Sequence, residues 1–236
     1  MGGMPRVLLT GASGLVGRAT TPGLEAAGWT VRSFDLVRGD DLRDEHRVDE
    51  ATRGCAAVVH AGAIAHDTVG TPADIVATNV LGTWHVLLAA ERHQVKRVLC
   101  FSSAQVFGFA DGEGTPIYTP VDDAHPLRAA RPYGMSKRLV EEMCAAWTAR
   151  TNIPTVVLRP VMILDDAALS RIDPSTVDLG AFVHVDDVAD AVVRALTAPV
   201  DGHVRMILCG PGAFDTSAAR SNLGWLPSRT WPDTDR

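Results

Sequence analysis

Tyr133 and Lys137 are the residues whose types and spacing most directly suggest chemistry. They stand four positions apart in the segment YGMSK, and residues at that spacing share one face of a helix. An ammonium group beside a phenol favours the phenolate, which lowers the pKa of the tyrosine and lets it donate and accept a proton near neutral pH. Tyr118, the other of the chain's two tyrosines, has Asp122 at that spacing instead. An ordinary solvated helix face is the alternative for the pair.

The segment TGASGLVG at residues 10–17 predicts a phosphate-binding turn. Gly11 would permit a tight turn, Gly14 would let backbone amides approach a pyrophosphate, and Gly17 would allow a helix to pack closely on a strand. The N-terminus of the following helix would add the positive end of its dipole. An ordinary glycine-rich turn is the alternative, but the order of predicted strand, glycines and predicted helix favours a dinucleotide site.

Asp35 stands 21 residues after Gly14, at the end of the second predicted strand. An acidic residue there can bind the ribose hydroxyls of a dinucleotide. Its carboxylate would repel a 2′-phosphate, so the sequence predicts NAD rather than NADP. Arg38 lies close enough in the sequence to leave NADP open as an alternative.

Short β-branched runs alternate with longer helical patterns along the chain. The predicted strands are 6–10, 31–35, 56–60, 97–102, 155–159 and 204–209. The predicted helices are 14–27, 72–93, 132–150 and 186–197, the second with Thr71 as its N-cap and Pro72 at its first position. This alternation is typical of βαβ units, so we expect an α/β fold with a Rossmann-type, doubly wound parallel sheet.

Three segments fall outside this alternation: 104–131, 161–185 and 210–236. Loops of this length are usually functional, and in open α/β sheets they gather beyond the carboxyl ends of the strands. We therefore predict one dinucleotide-binding domain over residues 1–236, with a small C-terminal substrate cap built from parts of these three segments. The last ten residues, from Pro227, are expected to form a frayed tail.

Composition excludes several other classes of protein. The chain has 236 residues, of which 46% are hydrophobic, and a net charge of −6, so it can bury a core but has no basic cluster for a nucleic acid or an anionic membrane. Its four cysteines form no CxxC pair, and no apolar stretch approaches the about 20 residues of a spanning helix. We expect a cytoplasmic protein with reduced thiols. No His pair stands at ligand spacing with an acid, so no metal site is predicted.

Taken together, these motifs resemble the extended branch of the short-chain dehydrogenase/reductase superfamily, the NAD-dependent epimerase/dehydratase family. The resemblance covers about residues 4–210. It rests on TGASGLVG (10–17), DDLRD (40–44), VVHAGA (58–63), NVLGT (79–83), FSSAQVFG (101–108), YGMSK (133–137), LRP (158–160) and FVHVDDVA (182–189).

The resemblance implies a role for individual residues. Ser103, Tyr133 and Lys137 would be the catalytic set, in which the tyrosine is the acid/base and the lysine holds the nicotinamide ribose and lowers the tyrosine pKa. Asp41 and Leu42 would flank the adenine. The full set implied for NAD is Gly11, Ser13, Gly14, Leu15, Val16, Asp35, Asp41, Leu42, His60, Ala61, Gly62, Asn79, Tyr133, Lys137 and Pro160. Substrate contacts would come from Ser103, Gln105 and Arg171.

Structural interpretations compete for several positions. Ser102 is more typical of a strand-end hydrogen-bonding residue than of a catalyst, and Asn79 can equally bind a neighbouring segment. Pro160 would shape the nicotinamide end rather than take part in chemistry. His184, Asp186 and Asp187 suggest a helix N-terminus with capping carboxylates.

Departures from the family pattern narrow the chemistry. Dehydratases of the family carry an Asp-Glu pair directly after the catalytic Ser or Thr, whereas Ala104 and Gln105 stand there in this chain, so dehydration is not expected. Phe107 replaces a common tyrosine. Only 23 residues separate Pro160 from His184, where nucleotide-sugar members have much longer segments. The short segment suggests a smaller substrate, as in uronate-dehydrogenase-like members.

The predicted function is that of an NAD-dependent oxidoreductase acting on a secondary alcohol or ketone, of a small sugar or sugar-acid-like substrate. An epimerase using the same Ser-Tyr-Lys set and a catalytically silent NAD-binding regulatory protein are the alternatives. A homodimer is possible. Arg171, the only Arg or Lys between Pro160 and His184, could clamp a carboxylate or phosphate, or it could be a solvated arginine paired with Asp173 or Asp178.

Overall fold

The computed structural model of the chain describes residues 3–109 and 114–231. Its strands are β1 Arg6–Thr10, β2 Thr30–Phe34, β3 Ala57–His60, β4 Arg97–Phe101, β5 Thr155–Pro160, β6 Met162–Leu164, β7 Phe182–His184 and β8 His203–Leu208. Six of them form one sheet in the order β2-β1-β3-β4-β5-β8, with every neighbouring pair parallel. The predicted Rossmann-type sheet is confirmed, and each of its strands lies within one residue of its predicted limits.

Helices cover both faces of this sheet. They are α1 Leu15–Ala26, α2 Glu45–Thr52, α3 Pro72–Arg92, α4 Pro132–Thr151, α5 Asp166–Leu169, α6 Val185–Thr197 and α7 Ser217–Leu223. Thr71 caps α3 as predicted, because its hydroxyl accepts a hydrogen bond from the Asp74 amide while the Asp74 carboxylate accepts one from the Thr71 amide. Helix α3 contains a π-helical turn at Val76–Leu81.

The core lies in two layers, one on each face of the sheet. On one face α1, α6 and α7 pack on β1, β5 and β8, with Trp225 fully buried among them. On the other face α2, α3 and α4 pack together, with Trp147 fully buried. Helix α3 is long and apolar enough to cross a membrane by length and composition, and half of its apolar 18-residue stretch is buried inside the fold.

The carboxyl ends of the strands bring the three long segments together. Strands β6 and β7 pair in parallel as a separate two-stranded sheet, and Val121 forms an isolated bridge with Phe214. A third buried cluster joins Phe107 and Phe109 to these two residues and to Ala181. Parts of the predicted cap, residues 110–113 and 232–236, lie outside the described residues.

The prediction of a frayed tail from Pro227 is wrong for the residues that the structure describes. The Ser228 amide and hydroxyl donate to the Asp187 carboxylate at 3.0 and 2.6 Å. The Trp231 indole N–H donates to the carbonyl of Gly180 at 2.7 Å, and its ring lies 4.4 Å from the Phe182 ring, centroid to centroid. Two tryptophans and a buried carboxylate therefore fix the chain as far as residue 231, since Trp225 also donates to the carbonyl of Asp187.

Candidate active site

A cavity of about 990 Å³ opens at the carboxyl edge of the sheet. It is bounded by the turn after β1, the segments after β2, β3 and β4, the start of α4, and the segments after β5 and β8. Ligands of open α/β sheets bind at this edge because the connecting loops converge there. The cavity is large enough for a dinucleotide and a small second molecule.

The glycine turn forms the floor of the cavity. Gly11 has a φ of +68°, and a Cβ atom there would lie 2.7 Å from the Gly62 nitrogen. A Cβ on Gly17 would lie 2.6 Å from the Cα of Ala12, so α1 could not approach β1 with any other residue at that position. Side chains larger than glycine are therefore excluded at both places.

The N-terminus of α1 is open to an anion. Gly14 precedes the helix in an extended conformation, without a side-chain cap, and the first turn contains no acidic residue. The first backbone N–H groups of a 12-residue helix thus face the cavity together with the positive end of its dipole. This arrangement fits the pyrophosphate of a dinucleotide.

Asp35 lies directly after β2 and borders the cavity. Its carboxylate accepts hydrogen bonds from the amides of Ser13 at 2.9 Å and Val37 at 3.0 Å. The two amides fix the carboxylate beside the phosphate-binding turn, where it can accept from ribose hydroxyls. Arg38 is exposed and is not among the residues that line the cavity.

The segment that follows Asp35 also lines the cavity, through Asp41, Leu42 and Arg43. The Arg43 guanidinium pairs with the Asp41 carboxylate at 2.6 Å, and this hydrogen-bonded pairing holds the pKa of Asp41 below its usual range. Leu42 is buried and lies beside Gly62, in the loop after β3. An apolar wall beside a charged rim suits a purine base.

Ser103, Tyr133 and Lys137 meet on one wall of the cavity. Ser103 follows β4, and its hydroxyl accepts from the Gln105 amide at 3.2 Å. Tyr133 stands in the first turn of α4, with its amide donating to the Asp67 carboxylate at 2.7 Å. All three side chains are at least nine-tenths buried, so the set is screened from bulk water.

Lys137 is held beneath the tyrosine. Its ammonium donates to the carbonyl of Phe101 at 2.7 Å and lies 5.8 Å from the centre of the Tyr133 ring. Burial lowers the pKa of Lys137 to about 8. The structure thus brings the predicted tyrosine and lysine to one face of one helix and aims both at the cavity.

Two residues of the predicted cofactor set, His60 and Asn79, are not among the residues that line the cavity. The His60 ring is hydrogen-bonded to the hydroxyls of Thr10 at 2.7 Å and Thr83 at 3.0 Å, and burial lowers its pKa to about 3. Asn79 lies in the π-helical turn, where its amide exchanges hydrogen bonds with the backbone of Ile64. Both side chains position the loop after β3, of which Ala61 and Gly62 reach the cavity.

A buried charge network supports the catalytic wall from behind. Glu141, one helical turn after Lys137, accepts from the Ser102 hydroxyl at 2.5 Å and from Arg159 at 2.8 and 2.6 Å. Arg159 also donates to the Asp123 carboxylate at 3.1 Å. Burial raises the pKa of Asp123 to about 6. Ser102 is therefore a strand-end hydrogen-bond donor, in agreement with its structural interpretation.

Of the predicted substrate contacts, Ser103 and Gln105 line the cavity and Arg171 does not. Gln105 lines the cavity next to Ser103. Arg171 is exposed, its guanidinium Nε donates to the carbonyl of Ala167 at 2.8 Å, and it is not among the lining residues. His184, Asp186 and Asp187 form the N-terminus of α6 as expected, with the His184 ring accepting from the Asp186 amide at 3.2 Å.

Sequence reasoning did not find several lining residues. They come from the loop after β3 and the start of α3, and from the segments after β4, β5 and β8, and include Ile64, His66, Asp74, Thr78, Phe109, Met162, Val177, Asp178 and Phe214. For Phe109, Met162, Val177, Asp178 and Phe214 the only signal was their position in the three long segments, and no signal marked the others. Within the described ranges, His, Cys, Asp and Glu form no group of three or more that could hold a metal ion.

Comparison with known proteins gives a consistent result. A family model described as the NAD dependent epimerase/dehydratase family matches residues 7–164. The chain is 30% identical to uronate dehydrogenase of Pseudomonas syringae pv. tomato, over 84% of this chain and 72% of that protein. It is 30% identical to UDP-glucose 4-epimerase of Mus musculus, over 79% and 62%. A short-chain dehydrogenase/reductase superfamily protein of Agrobacterium tumefaciens, solved with bound NAD, shares the fold with a TM-score of 0.82 at 23% identity, covering 96% of this chain and 93% of that one.

Proposed function

We propose a reaction for this chain, which belongs to the NAD dependent epimerase/dehydratase family and is an NAD-dependent enzyme of the short-chain dehydrogenase/reductase type. It oxidises a secondary alcohol of a small sugar or sugar-acid-like substrate to a ketone, or catalyses the reverse reduction. The observation that carries the proposal is that Ser103, Tyr133 and Lys137 share one cavity with the glycine turn and Asp35.

The residues of this chain suit the proton half of such a reaction. Bound NAD supplies the nicotinamide ring that accepts the hydride from the substrate carbon. The Tyr133 oxygen takes the proton of the substrate hydroxyl, while the Ser103 hydroxyl donates to the same substrate oxygen and holds it in place. The Lys137 ammonium, which donates to the Phe101 carbonyl, would stabilise the negative charge on the tyrosine oxygen and would hold the ribose of the cofactor.

The residues after Ser103 support a dehydrogenase rather than a dehydratase. Dehydration needs an additional acid and base to remove water from the neighbouring carbon. Ala104 has no proton to transfer, and the carboxamide of Gln105 does not titrate. Their places beside the cavity therefore support hydride and proton exchange at a single carbon.

An epimerase remains the second candidate, and the similarity to UDP-glucose 4-epimerase favours it. An epimerase would use the same three residues but return the hydride to the opposite face of the ketone. Its cofactor would stay bound through a closed redox cycle, whereas a dehydrogenase must exchange the cofactor at every turnover.

The decisive experiment supplies purified protein with NAD and a panel of sugars, sugar acids and secondary alcohols, and follows NADH formation. One NADH per substrate consumed is the expected result, and Tyr133→Phe is the matched control that should abolish it. Inversion of a stereocentre without free NADH would identify the epimerase instead. NAD binding without turnover of any compound would support a regulatory protein and contradict the proposal.

A homodimer is part of the proposal. Exposed apolar side chains lie on two helices that pack against each other, Val76, Leu81 and Trp84 on α3 and Met135 and Leu139 on α4. The same face on a second copy could cover them across a two-fold axis. Sedimentation velocity should then give a dimer that Trp84→Glu converts to a monomer, and a wild-type monomer at all concentrations would contradict it.

A cytoplasmic location is also proposed. It is supported by Cys55, Cys100, Cys144 and Cys209, which are all free and buried. Fractionation of the source cells with an antibody to the chain would test it, and recovery from an exported fraction would contradict it.

A further inference from the structure

Helix α4, which carries Tyr133 and Lys137, begins without a side-chain cap from the residue that precedes it. Arg131 makes no side-chain capping hydrogen bond there, and Pro132 at the first helical position has no N–H group. Backbone N–H groups at the start of a helix have no partners within the helix, so other groups must bind them. Tyr133 lies in this first turn, whereas Lys137 lies one turn further on and is fixed by the carbonyl of Phe101.

A cap for this helix comes from a distant segment of the chain. Asp67, in the loop after β3, accepts a hydrogen bond from the Tyr133 amide at 2.7 Å, across 66 positions. The carboxylate thereby binds the first N–H group of α4 and places a negative charge at the positive end of the helix dipole. Both effects favour a closed first turn, and a closed first turn fixes the backbone from which the phenol reaches the cavity.

The same loop is also linked to the carbonyl of Tyr133. That carbonyl accepts from the Ser136 hydroxyl at 2.7 Å, and the Ser136 oxygen accepts from the Asn79 carboxamide at 3.0 Å. Asn79 in turn exchanges hydrogen bonds with the backbone of Ile64 at 2.8 and 3.0 Å. Both backbone polar groups of the tyrosine are therefore connected to the loop after β3, the amide directly and the carbonyl through two side chains.

This loop is part of the cavity wall. Residues 61–66, directly before Asp67, all line the cavity, and they include part of the predicted cofactor set. Asp67 itself is not among the lining residues, so its carboxylate contacts the start of α4 rather than a ligand. A ligand that fixes residues 61–66 therefore also fixes the carboxylate that caps the helix.

We infer that Asp67 is a positioning residue for the reaction. By capping α4 it holds Tyr133 at the substrate oxygen, and it makes the position of the tyrosine depend on the loop that lines the cavity. The inference rests on the proposed function, which gives Tyr133 its role in proton transfer.

The kinetic test compares three variants with the wild type on any compound that the wild type oxidises. Asp67→Ala removes the acceptor, and kcat should fall by about tenfold or more because the tyrosine loses its alignment, while KM and the Kd for NAD stay within a few-fold. Asp67→Asn keeps an acceptor oxygen and should recover most of the lost kcat. Asp44→Ala is the matched control, since Asp44 caps α2 by accepting from the Arg47 amide at 3.1 Å and does not line the cavity. It should lose a similar amount of thermal stability as Asp67→Ala and keep the wild-type kcat.

Hydrogen exchange followed by mass spectrometry tests the cap without turnover. Amides at the start of α4 should exchange several-fold faster in Asp67→Ala than in the wild type, and no faster in Asp44→Ala. Saturating NAD should slow exchange at this position more in the wild type than in Asp67→Ala, because only the wild type has the carboxylate that links the loop to the helix. Circular dichroism confirms that each variant is folded.

Several results would overturn the inference while leaving the proposed dehydrogenase intact. They are a kcat of Asp67→Ala within about twofold of the wild type, an equal loss of kcat in Asp44→Ala, and an Asp67→Asn variant as slow as Asp67→Ala. Exchange at the start of α4 that does not respond to Asp67→Ala, or an equal effect of NAD in both proteins, would overturn it as well. A failure of the proposed function has a different signature, because no compound would then yield NADH with the wild type. The exchange measurement still decides in that case whether Asp67 holds the tyrosine.

Discussion

Replacing Glu141 by glutamine tests how the catalytic wall is supported. The Glu141 side chain is fully buried on α4 and accepts from the Ser102 hydroxyl and from two nitrogens of Arg159, which is itself fully buried. In Glu141→Gln the volume is retained, but the charge is lost and an NH₂ group faces one of these donors. Arg159 keeps the Asp123 carboxylate as its remaining anionic partner.

The size of the effect follows from burial. Removing one partner of a buried ion pair typically destabilises a protein by about 3–5 kcal/mol, because the other charge stays desolvated. Asp123 offsets part of this for Arg159, so the expected loss in the free energy of unfolding is about 3 kcal/mol. For a domain whose total stability is on the order of 5–15 kcal/mol, such a loss lowers the urea midpoint by an amount that is readily measured.

Urea unfolding followed by tryptophan fluorescence and circular dichroism measures this loss. Glu91→Gln is the matched control. Glu91 on α3 pairs with Arg150, which lies on α4 as Glu141 does, but this pair is at the surface, so its loss should change the free energy of unfolding far less. The double variant Glu141→Leu/Arg159→Met removes both charges. It should be more stable than the summed losses of the single variants Glu141→Leu and Arg159→Met predict, with a coupling free energy of about 2 kcal/mol or more.

Either of two results would refute this reasoning. One is a loss for Glu141→Gln no larger than that of Glu91→Gln, which would mean that water reaches the pair. The other is strict additivity in the double variant, which would mean that the two side chains do not stabilise each other in the fold.

Three further predictions concern the cofactor, the proton transfer and pH. Wild-type protein should bind NAD at least tenfold more tightly than NADP, about 1.4 kcal/mol, and Asp35→Asn should reduce that preference in calorimetric titrations. Equal dissociation constants of the wild type for the two cofactors would contradict this. Tyr133→Phe should lose nearly all turnover while NAD affinity stays within a few-fold, and more than a tenth of the wild-type rate would reveal another acid. Burial lowers the pKa of His60 from 6.5 to about 3, so below pH 6.5 the unfolded chain binds a proton that the folded chain excludes. The free energy of unfolding should therefore decrease as the pH is lowered from 6.5 towards 3, by up to about 1.4 kcal/mol per pH unit. His60→Gln should make that decline shallower, and an unchanged slope would contradict it.

Local sequence determined the elements and their order. Strands β1, β3 and β4 are short apolar runs that can be buried on both faces only in a parallel sheet, and their predicted limits are accurate to one residue. The start of α3 was equally predictable, because the Thr71 cap and the proline after it act on atoms within one helical turn. The glycine turn and the pair of Tyr133 and Lys137 were found for the same reason, since each is a contiguous motif whose chemistry depends on neighbours in the chain.

Only the tertiary structure decided which side chains face the cavity. His60 and Asn79 have polar groups that suit a cofactor, but both point away from it and tie the loop after β3 to other elements. The bonds that turn them away come from residues up to 57 positions distant, as from Ser136 to Asn79, and residue type alone does not specify them. Arg171 was likewise the only candidate cation of its segment, and the fold leaves it exposed.

The charge network behind the catalytic set depends even more on distant contacts. Arg159 reaches Glu141 across 18 positions and Asp123 across 36, and strand β6 pairs with β7 across a segment that carries no periodic signal. Periodicity is a property of neighbouring residues, so the sequence by itself determined the scaffold, the cofactor turn and the reacting pair. Which long segments meet beyond the strands, and what charge they present there, follows from packing between elements far apart in the chain.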